Sequence, residues 1–358
     1  MKKHFSPPDL SAYDAISEAQ KIAFSPFIFQ AVRTMRELGI LESIEQSAEA
    51  GLSPEELSEI VDVSTYGIAT LLESGVSSGV VEQNNDGRFT LSKVGYFLLR
   101  DPMTRINMDY NHYVCYLGMY YLDEAIRSEK PVGLKVFGEQ WETLYQALPH
   151  LPQKVKQSWY DFDHFYSDSA YPDAAAIVLS NQPHSLVDIG ANIGKFSILM
   201  ARQDAEIKIT MVDLPDQLKN AIHNVEKAGL DSRINALAMD LLQKDAPLPT
   251  NKNIYWLSQL LSCFGQDEIV QLLQRIRQVM NDNSVIYILE TCWDRQQHAA
   301  AAYSLINTSL YFTSMASGNS KMYHSRELSD CIEKAGLKLD TIHDQLGVCH
   351  SLFVCSRS

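Results

Sequence analysis

A segment at residues 187–194, which reads Val-Asp-Ile-Gly-Ala-Asn-Ile-Gly, has the composition of a ligand-binding loop. Gly190 and Gly194 lie between a predicted strand and a predicted helix, where glycine lets the backbone approach a ligand and the helix start offers free N–H groups. The segment does not fit the dinucleotide pattern G-x-G-x-x-G, and Ile189 and Phe196 break the phosphate-loop pattern G-x-x-x-x-G-K-[ST]. Neither phosphate-binding motif is therefore satisfied.

Three carboxylates occur where successive predicted strands end. Asp188 precedes the first glycine, where it would repel a pyrophosphate but would suit a ligand with an ammonium group and a sulfonium. Asp213 ends the second strand, where a carboxylate can accept hydrogen bonds from both hydroxyls of a ribose. Asp240 ends the third strand, close enough in such a sheet to meet an adenine edge. Each acid alone could be a capping or solvated aspartate, but three at successive strand ends indicate one binding site.

The elements that position these residues alternate between strand and helix from Ser185 onwards. Such alternation predicts an α/β fold with a doubly wound parallel sheet. The last two predicted strands, at residues 337–347 and 348–357, suggest an antiparallel edge with a short turn between them.

Residues 25–100 predict short helices followed by a hairpin. Ser25 and Pro26 suit a helix start, and Gly39 suits its end. In the next helix Ser53 and Glu56 have the spacing of a capping box. Asn84 to Gly87 form a turn signal between two β-prone runs. Helices followed by a hairpin favour a winged helix.

These patterns divide the chain into three parts. Residues 1–104 are predicted to form a winged-helix domain, residues 105–180 a helical connector that helps to build a substrate pocket, and residues 181–358 the ligand-binding sheet. The connector is rich in Tyr, Trp and Phe. Aromatic residues at helical spacing usually form core, although the wall of a pocket can be both.

The 358 residues carry a net charge of −14 and include six scattered cysteines. The acidic balance disfavours a nucleic-acid partner, because the field of the molecule repels a polyanion. The cysteines lack the spacing of zinc ligands, so we expect no metal site and six reduced thiols. The uncharged stretch at residues 296–320 is too polar for a membrane span, and the start of the chain lacks a secretory apolar run. We therefore expect a cytoplasmic protein without a membrane partner.

The motifs resemble those of S-adenosylmethionine-dependent small-molecule O-methyltransferases of the caffeic-acid and hydroxyindole type. The segment "LVDIGANIG" looks like their glycine loop, "MVDLPDQLKNA" is similar to their second-strand segment, and "AMDLL" resembles their "GDMF". The resemblance covers nearly the whole chain and implies a class I methyltransferase domain, an N-terminal winged helix used for homodimerisation, and S-adenosylmethionine as cofactor. Carried over, the cofactor would contact Asp188, Gly190, Gly194, Asp213, Leu214, Asp240 and Leu241.

The chain departs from this family where the catalytic base is expected. Members that methylate phenols usually have a His after the fourth strand, and Ser262 takes that position here. Glu290 matches the first of two flanking acids, Met322 replaces the second, and Ser258 replaces a Lys that touches the cofactor. Glu290 could orient a replacement base or anchor a loop.

Other histidines are candidates for the missing base. His298 begins the uncharged stretch and His324 lies near Met322, while His164 and His112 lie in the aromatic segment. Each alone is more often a surface or structural His. We take Glu290, His298 and His324 as the candidate catalytic residues.

The first functional hypothesis is methyl transfer from S-adenosylmethionine to a small, aromatic acceptor. A second keeps the cofactor but not methylation, because the replacements at Ser262 and Met322 would suit a different reaction on a natural product. A third is a winged-helix regulator that senses the cofactor. The third is disfavoured because the segment "STYGIATLLESG" contains no Lys or Arg.

Overall fold

The structure is a computed structural model, and it describes residues 4–5, 9–243 and 246–358. The chain divides into two compact units, the first ending at Asn111 and the second built mainly of residues 112–358. The helices are α1 (Ala12–Glu37), α2 (Ile40–Gln46), α3 (Pro54–Val61), α4 (Thr65–Ser77), α5 (Lys93–Arg100), α6 (Pro102–Tyr110), α7 (Leu122–Ser128), α8 (Leu144–Ala147), α9 (Gln153–Leu179), α10 (Lys195–Gln203), α11 (Pro215–Lys227), α12 (Gln266–Val279), α13 (Ala299–Tyr311) and α14 (Ser325–Lys334). The strands are β1 (Val81–Gln83), β2 (Phe89–Leu91), β3 (Ser185–Ile189), β4 (Lys208–Asp213), β5 (Ile234–Ala238), β6 (Ile254–Ser258), β7 (Val285–Glu290), β8 (Leu337–Leu346) and β9 (His350–Arg357).

The first unit contains α1 to α6 and the hairpin β1–β2. The predicted capping box is confirmed, because the Ser53 hydroxyl accepts from the N–H of Glu56 while the Glu56 carboxylate accepts from the N–H of Ser53. The predicted hairpin is confirmed as well, with Val81 paired to Leu91 in antiparallel register. A small core packs between these elements, and its members include Val32, Met35, Leu57, Leu72 and Phe89.

The predicted start of the first helix at Ser25 and Pro26 is wrong. α1 begins at Ala12 with Ser11 as its cap and continues through Pro26. The Ser25 hydroxyl donates to the carbonyl of Ile22 instead of capping a helix. A proline in a helix interior removes one hydrogen bond and crowds the preceding turn, but burial of the apolar residues that follow it supports the continuous helix. The predicted end is confirmed, since Gly39 has a φ of 77° just beyond α1.

The second unit is built around a seven-stranded sheet in the order β5-β4-β3-β6-β7-β9-β8. The first five of these strands are parallel, and β9 runs antiparallel to both of its neighbours. Apolar side chains form a core on each face of the sheet. The predicted α/β fold with a doubly wound sheet and an antiparallel edge is therefore confirmed. Because β3 lies between β4 and β6, the chain reverses its direction of winding there, and a crevice forms beyond the carboxyl ends of β3 and β6.

The uncharged stretch forms α13 and a wider turn at Phe312–Ala316, and buries Leu305, Tyr311 and Met315. Among the residues that the structure describes, no helix is both long and apolar enough to span a bilayer. No disulfide joins any of the six cysteines, and five of them are buried.

Candidate active site

The glycine loop lies at the crevice and turns sharply after β3. Gly190, Asn192 and Gly194 have φ values of 78°, 52° and 79°, a region that favours glycine and tolerates asparagine. A Cβ on Gly190 would lie 2.8 Å from Cδ1 of Leu260, and a Cβ on Gly194 would lie 3.1 Å from Sδ of Met211. Backbone conformation and close packing therefore both require glycine at these two positions.

Asp213, at the end of β4, connects the glycine loop to this neighbouring strand through a hydrogen bond. Its Oδ2 accepts from the N–H of Asn192 at 2.7 Å, and its Oδ1 accepts from the N–H of Leu214 at 2.7 Å. Burial raises the pKa of Asp213 to about 6, although these two donors favour the ionised form. Each oxygen keeps a second lone pair that is able to accept a ligand hydroxyl.

The other two predicted acids are placed differently. Asp188 is buried on β3, where its Oδ2 accepts from the hydroxyl of Ser197 at 2.6 Å and where burial raises its pKa to about 7. Asp240 lies two residues beyond β5, and its Oδ1 accepts from the N–H of Leu242 at 2.9 Å. The carbonyl of Leu241 accepts from the guanidinium of Arg275. Asp213 is thus the acid that contacts the glycine loop directly, and a role of Asp188 and Asp240 toward a ligand stays a prediction.

Asp163, on α9, is a site residue that the sequence patterns did not reveal. Its Oδ2 accepts from Nδ2 of Asn192 at 3.0 Å, and its Oδ1 accepts from Nε2 of Gln259 at 3.2 Å. Gln259 immediately follows β6 and has a φ of 49°. Asp163 therefore joins α9 to the two loops on either side of the crevice. The signal available in the sequence was an acid in a run of aromatic residues, which is an unusual position for a charge.

Aromatic side chains of α8, α9 and α13 contact one another near this carboxylate. The indole N–H of Trp159 donates to the hydroxyl of Tyr311 at 2.8 Å, and the hydroxyl of Tyr145 donates to the thiol of Cys263. Burial raises the pKa of Tyr145 well above its usual value, and the charges of Asp163 and of other nearby groups raise it further. Tyr145 and Trp159 belong to the connector that is predicted to help build a substrate pocket, and that role stays a prediction.

Glu290 is held by the loop that carries Ser262. It ends β7, is 2% exposed, and its Oε1 accepts from the N–H of Leu261 at 2.6 Å. The backbone N–H groups of Leu260 and Ser262 and the hydroxyl of Ser262 also bond to it, yet burial raises its pKa to about 7. Of the two roles left open for Glu290, the structure shows the loop anchor. Orientation of a histidine by Glu290 stays a prediction.

The two candidate bases lie at helix starts. His298 is exposed and precedes α13. His324 caps α14, where its Nδ1 accepts from the N–H of Arg326 at 3.0 Å, and its ring packs edge-on against Trp293. Sequence reasoning missed that His324 and Glu327 form a capping box, which their spacing could have indicated. The catalytic roles of both histidines stay predictions.

Met322 stands where the family usually has a second acid. Its sulfur accepts from the hydroxyl of Thr291 at 3.3 Å, and its N–H donates to the hydroxyl of Ser309 at 3.2 Å. Thr291 is the residue directly after Glu290, so Met322 lies close to the predicted catalytic region but brings no charge to it.

Comparison with known proteins links both units of the chain to described domains. Residues 119–338 match the model of the O-methyltransferase domain, and residues 17–89 match that of the Dimerisation2-like domain. The L-tyrosine C(3)-methyltransferase of Streptomyces lavendulae is 22% identical over 323 residues, which cover 89% of this chain and 86% of the relative.

Solved structures share the same fold. The S-adenosylmethionine-dependent methyltransferase SibL superposes with a TM-score of 0.70 at 19% identity, over 96% of this chain and 99% of its own. The O-methyltransferase NcsB1, in complex with S-adenosylmethionine and 2-hydroxy-5-methyl naphthoic acid, superposes with a TM-score of 0.68 at 18% identity, over 92% of this chain and 96% of its own.

Proposed function

The chain belongs to the O-methyltransferase family and is an S-adenosylmethionine-dependent methyltransferase, and from that premise we propose which residues hold the cofactor and what kind of acceptor is methylated. The predicted family resemblance is confirmed by the domain match. The observation that carries the proposal is the carboxylate of Asp213, which lies at a strand end and bonds to the glycine loop.

The residues of the crevice fit S-adenosylmethionine. Gly190 and Gly194 keep the backbone clear of side chains, and Asp213 retains free lone pairs that can accept from ribose hydroxyls. Asn192 presents a buried Oδ1 without a partner among the described residues, as a site that awaits a donor would. Asp188, Leu214, Asp240 and Leu241 complete the proposed cofactor site.

The acceptor is a small aromatic molecule, and a hydroxyl on it has to lose its proton before it can accept the methyl group. When bound, S-adenosylmethionine supplies a methyl group that is already electrophilic, so the protein has to position the acceptor and see that it is deprotonated. A phenol with a pKa of about 10 is only ~0.1% ionised at pH 7. Ser262 cannot act as a base at its ordinary pKa, and its hydroxyl is bonded to Glu290. We therefore propose an acceptor that is acidic or already nucleophilic, or a replacement base such as His298 or His324.

Transfer of a labelled methyl group tests this proposal. The panel contains catechols, acidic phenols, carboxylates and amines, and the proteins are the unaltered enzyme and its Ser262→His, His298→Ala and His324→Ala variants. If the natural acceptor is acidic or already nucleophilic, we expect acidic acceptors to react and ordinary phenols to react only after Ser262→His. If His298 or His324 is the replacement base, we expect the unaltered enzyme to methylate ordinary phenols and the corresponding alanine variant to lose that activity. Rapid methylation of an ordinary phenol, unaffected by either histidine variant, would contradict the proposal. Transfer to no acceptor would favour the alternative of a reaction other than methylation.

The proposed assembly is a homodimer formed through the first unit. Several apolar side chains of α1 are exposed, and they include Tyr13, Ile16, Ile22, Phe24 and Phe27. A single helix with this many exposed apolar side chains is typical of an interface between two protein chains. The match to a Dimerisation2-like domain at residues 17–89 supports the same assignment.

The proposed location is the cytoplasm, because that compartment is reducing and no disulfide joins the six cysteines. The net charge of −14 still disfavours a nucleic-acid partner. The proposed partners are therefore a small-molecule acceptor and a second copy of the chain.

A further inference from the structure

A buried histidine at the start of β9 bonds to the loop that follows β6. His350 is fully buried, and its Nε2 lies 2.9 Å from Oε1 of Gln259. Burial lowers the pKa of His350 to about 3, so the ring is neutral at pH 7. A neutral imidazole carries its proton on one nitrogen and accepts with the other. The place of that proton decides what His350 does for Gln259.

A second contact of the Gln259 side chain locates the proton. The other amide atom of Gln259 faces Asp163, at 3.4 Å from the main-chain carbonyl oxygen and 3.2 Å from Oδ1. A carbonyl oxygen can only accept a hydrogen bond, so the amide atom that faces it is the NH₂ group. The oxygen of Gln259 therefore faces His350, and Nε2 of His350 carries the proton and donates it. Nδ1 of the ring is then without a proton and lies 4.0 Å from the thiol of Cys349.

The backbone of Gln259 needs support from its surroundings. Its φ is 49°, in the left-handed region where a Cβ crowds the following carbonyl oxygen. Such a conformation persists only where neighbouring contacts impose it. The N–H of Gln259 donates to the carbonyl of Leu289 at 2.8 Å, and its side chain is held between Asp163 and His350. The bond from His350 is thus one of the contacts that stabilise this left-handed turn.

The turn leads directly into the loop that carries Ser262, the position where the resembled family has its base. Glu290, at the end of β7, accepts from the N–H of Leu261 at 2.6 Å. His350, at the start of β9, bonds to Gln259 at the beginning of the same loop. Since β7 and β9 are neighbours in the sheet, two adjacent strand ends hold the loop at two separate points.

We propose that His350 is a positioning residue for methyl transfer, which donates its Nε2 proton to Gln259 and thereby holds the loop of Ser262 in place at the crevice. The inference rests on the proposed function, because the loop can affect transfer only if the crevice binds the cofactor and an acceptor. In this role His350 acts through Gln259 and needs no contact with either ligand. A histidine that only filled the core could be replaced by any side chain of similar size, whereas a positioning residue needs a donor at the place of Nε2.

Replacements of His350 that differ in the donor atom separate these two roles. In glutamine, as in histidine, Nε2 lies three bonds from Cβ, whereas Nδ2 of asparagine lies two bonds from it. His350→Gln therefore keeps a donor within reach of Gln259, His350→Asn places it too far back, and His350→Leu fills the space without a donor. Ser284→Ala is the matched control, because Ser284 is buried and its hydroxyl donates to the carbonyl of Lys252 just before β7 begins, at the end of that strand away from Glu290.

Two measurements report on the loop and on the reaction. Hydrogen exchange followed by mass spectrometry measures the protection of the amides at residues 260–264, which include the N–H that Leu261 donates to Glu290. Steady-state transfer of labelled methyl from S-adenosylmethionine gives kcat and KM separately, with the member of the acceptor panel that the unaltered enzyme methylates fastest. Thermal unfolding verifies that each variant folds.

We expect His350→Leu and His350→Asn to lower kcat by about 10- to 100-fold, because a displacement of about 1 Å is enough to misplace reacting groups. The KM for S-adenosylmethionine should stay within threefold, and exchange at residues 260–264 should become faster in both variants. His350→Gln and Ser284→Ala should keep kcat and exchange within threefold of the unaltered enzyme. Gln259→Met removes the acceptor of the same bond, so it should reproduce the losses of His350→Leu and carries the test if that variant does not fold. Addition of His350→Leu to Gln259→Met should then cause no further loss.

Unchanged kcat and exchange in His350→Leu would overturn the proposal. A His350→Gln enzyme as slow as His350→Leu would overturn it as well, and so would an equal loss in Ser284→Ala. Failure of the unaltered protein to bind S-adenosylhomocysteine in a calorimetric titration would instead refute the proposed function. Exchange at residues 260–264 would in that case still decide whether His350 holds the loop, so the two failures are distinguishable.

Discussion

Replacement of Asp213 with alanine tests the part of the cofactor site on which the proposed function depends. The carboxylate accepts two backbone N–H bonds of 2.7 Å and retains lone pairs for ribose hydroxyls. Loss of the charge-assisted bonds to the ligand should weaken S-adenosylmethionine binding by about 1.5–3 kcal/mol, or about 10- to 100-fold. The N–H groups of Asn192 and Leu214 lose their acceptor at the same time, so the free energy of unfolding should fall by about 1–3 kcal/mol.

Isothermal titration of the folded variants measures the affinity, and denaturant unfolding measures the stability separately. Asp216→Asn is the matched control, because Asp216 is exposed at the start of α11 and pairs only with Lys219 among the described residues. The control should bind as the unaltered protein does. A folded Asp213→Ala protein whose affinity stays within twofold would refute the assignment of the ribose contact. If the unaltered protein bound NAD or ATP and not S-adenosylmethionine, the cofactor itself would be wrong.

Three further predictions concern assembly, backbone and charge. Light scattering of the unaltered protein at micromolar concentration should give a mass of twice the 40.3 kDa of one chain, and a mass of one chain would exclude the dimer. The side chain of Phe27 is 74% exposed, so Phe27→Asp should give the mass of one chain while the helix content stays unchanged. Gly190→Ala should lower the melting temperature more than Gly229→Ala does. Both glycines have a positive φ, but only at Gly190 would a new Cβ contact a neighbouring side chain, that of Leu260. Equal changes in melting temperature would show that the Leu260 side chain moves to accommodate the Cβ. Burial raises the pKa of Glu290 to about 7 from 4.5 in the unfolded chain, so its contribution to stability is greatest below pH 4.5 and declines by about 3 kcal/mol as the pH rises through 7. Glu290→Gln should remove this part of the pH dependence of the free energy of unfolding, and equal slopes for both proteins would contradict the prediction.

The sheet could be predicted from the sequence because each strand and helix carries a local signal. Alternation from Ser185 onwards indicated the order of elements, and Gly190 and Gly194 marked the turn that the structure shows. The start of α1 could not be found in the same way, because local signals at Ser25 and Pro26 conflict with packing further along the helix. Tertiary burial decided between them.

The site was less predictable, because its polar partners are distant in sequence. Asp163 is 29 residues from Asn192 and 96 from Gln259, and no motif spans such separations. Glu290 was identified because it matches an acid of the resembled family, but that match did not reveal that its carboxylate binds the Ser262 loop. Motifs thus indicated which loops form the site, whereas the hydrogen bonds between its side chains could be identified only from the structure.

The position of β9 has a consequence for how the protein folds. β9 inserts between β7 and β8, so the sheet cannot reach its final order until residues 350–357 have been synthesised and have paired. The same strand brings His350 to Gln259 across 91 residues, and contacts of such separation form late because long loops must close first. In a nascent chain, strands β3 to β7 can therefore pair before the contact between His350 and Gln259 at the crevice has formed.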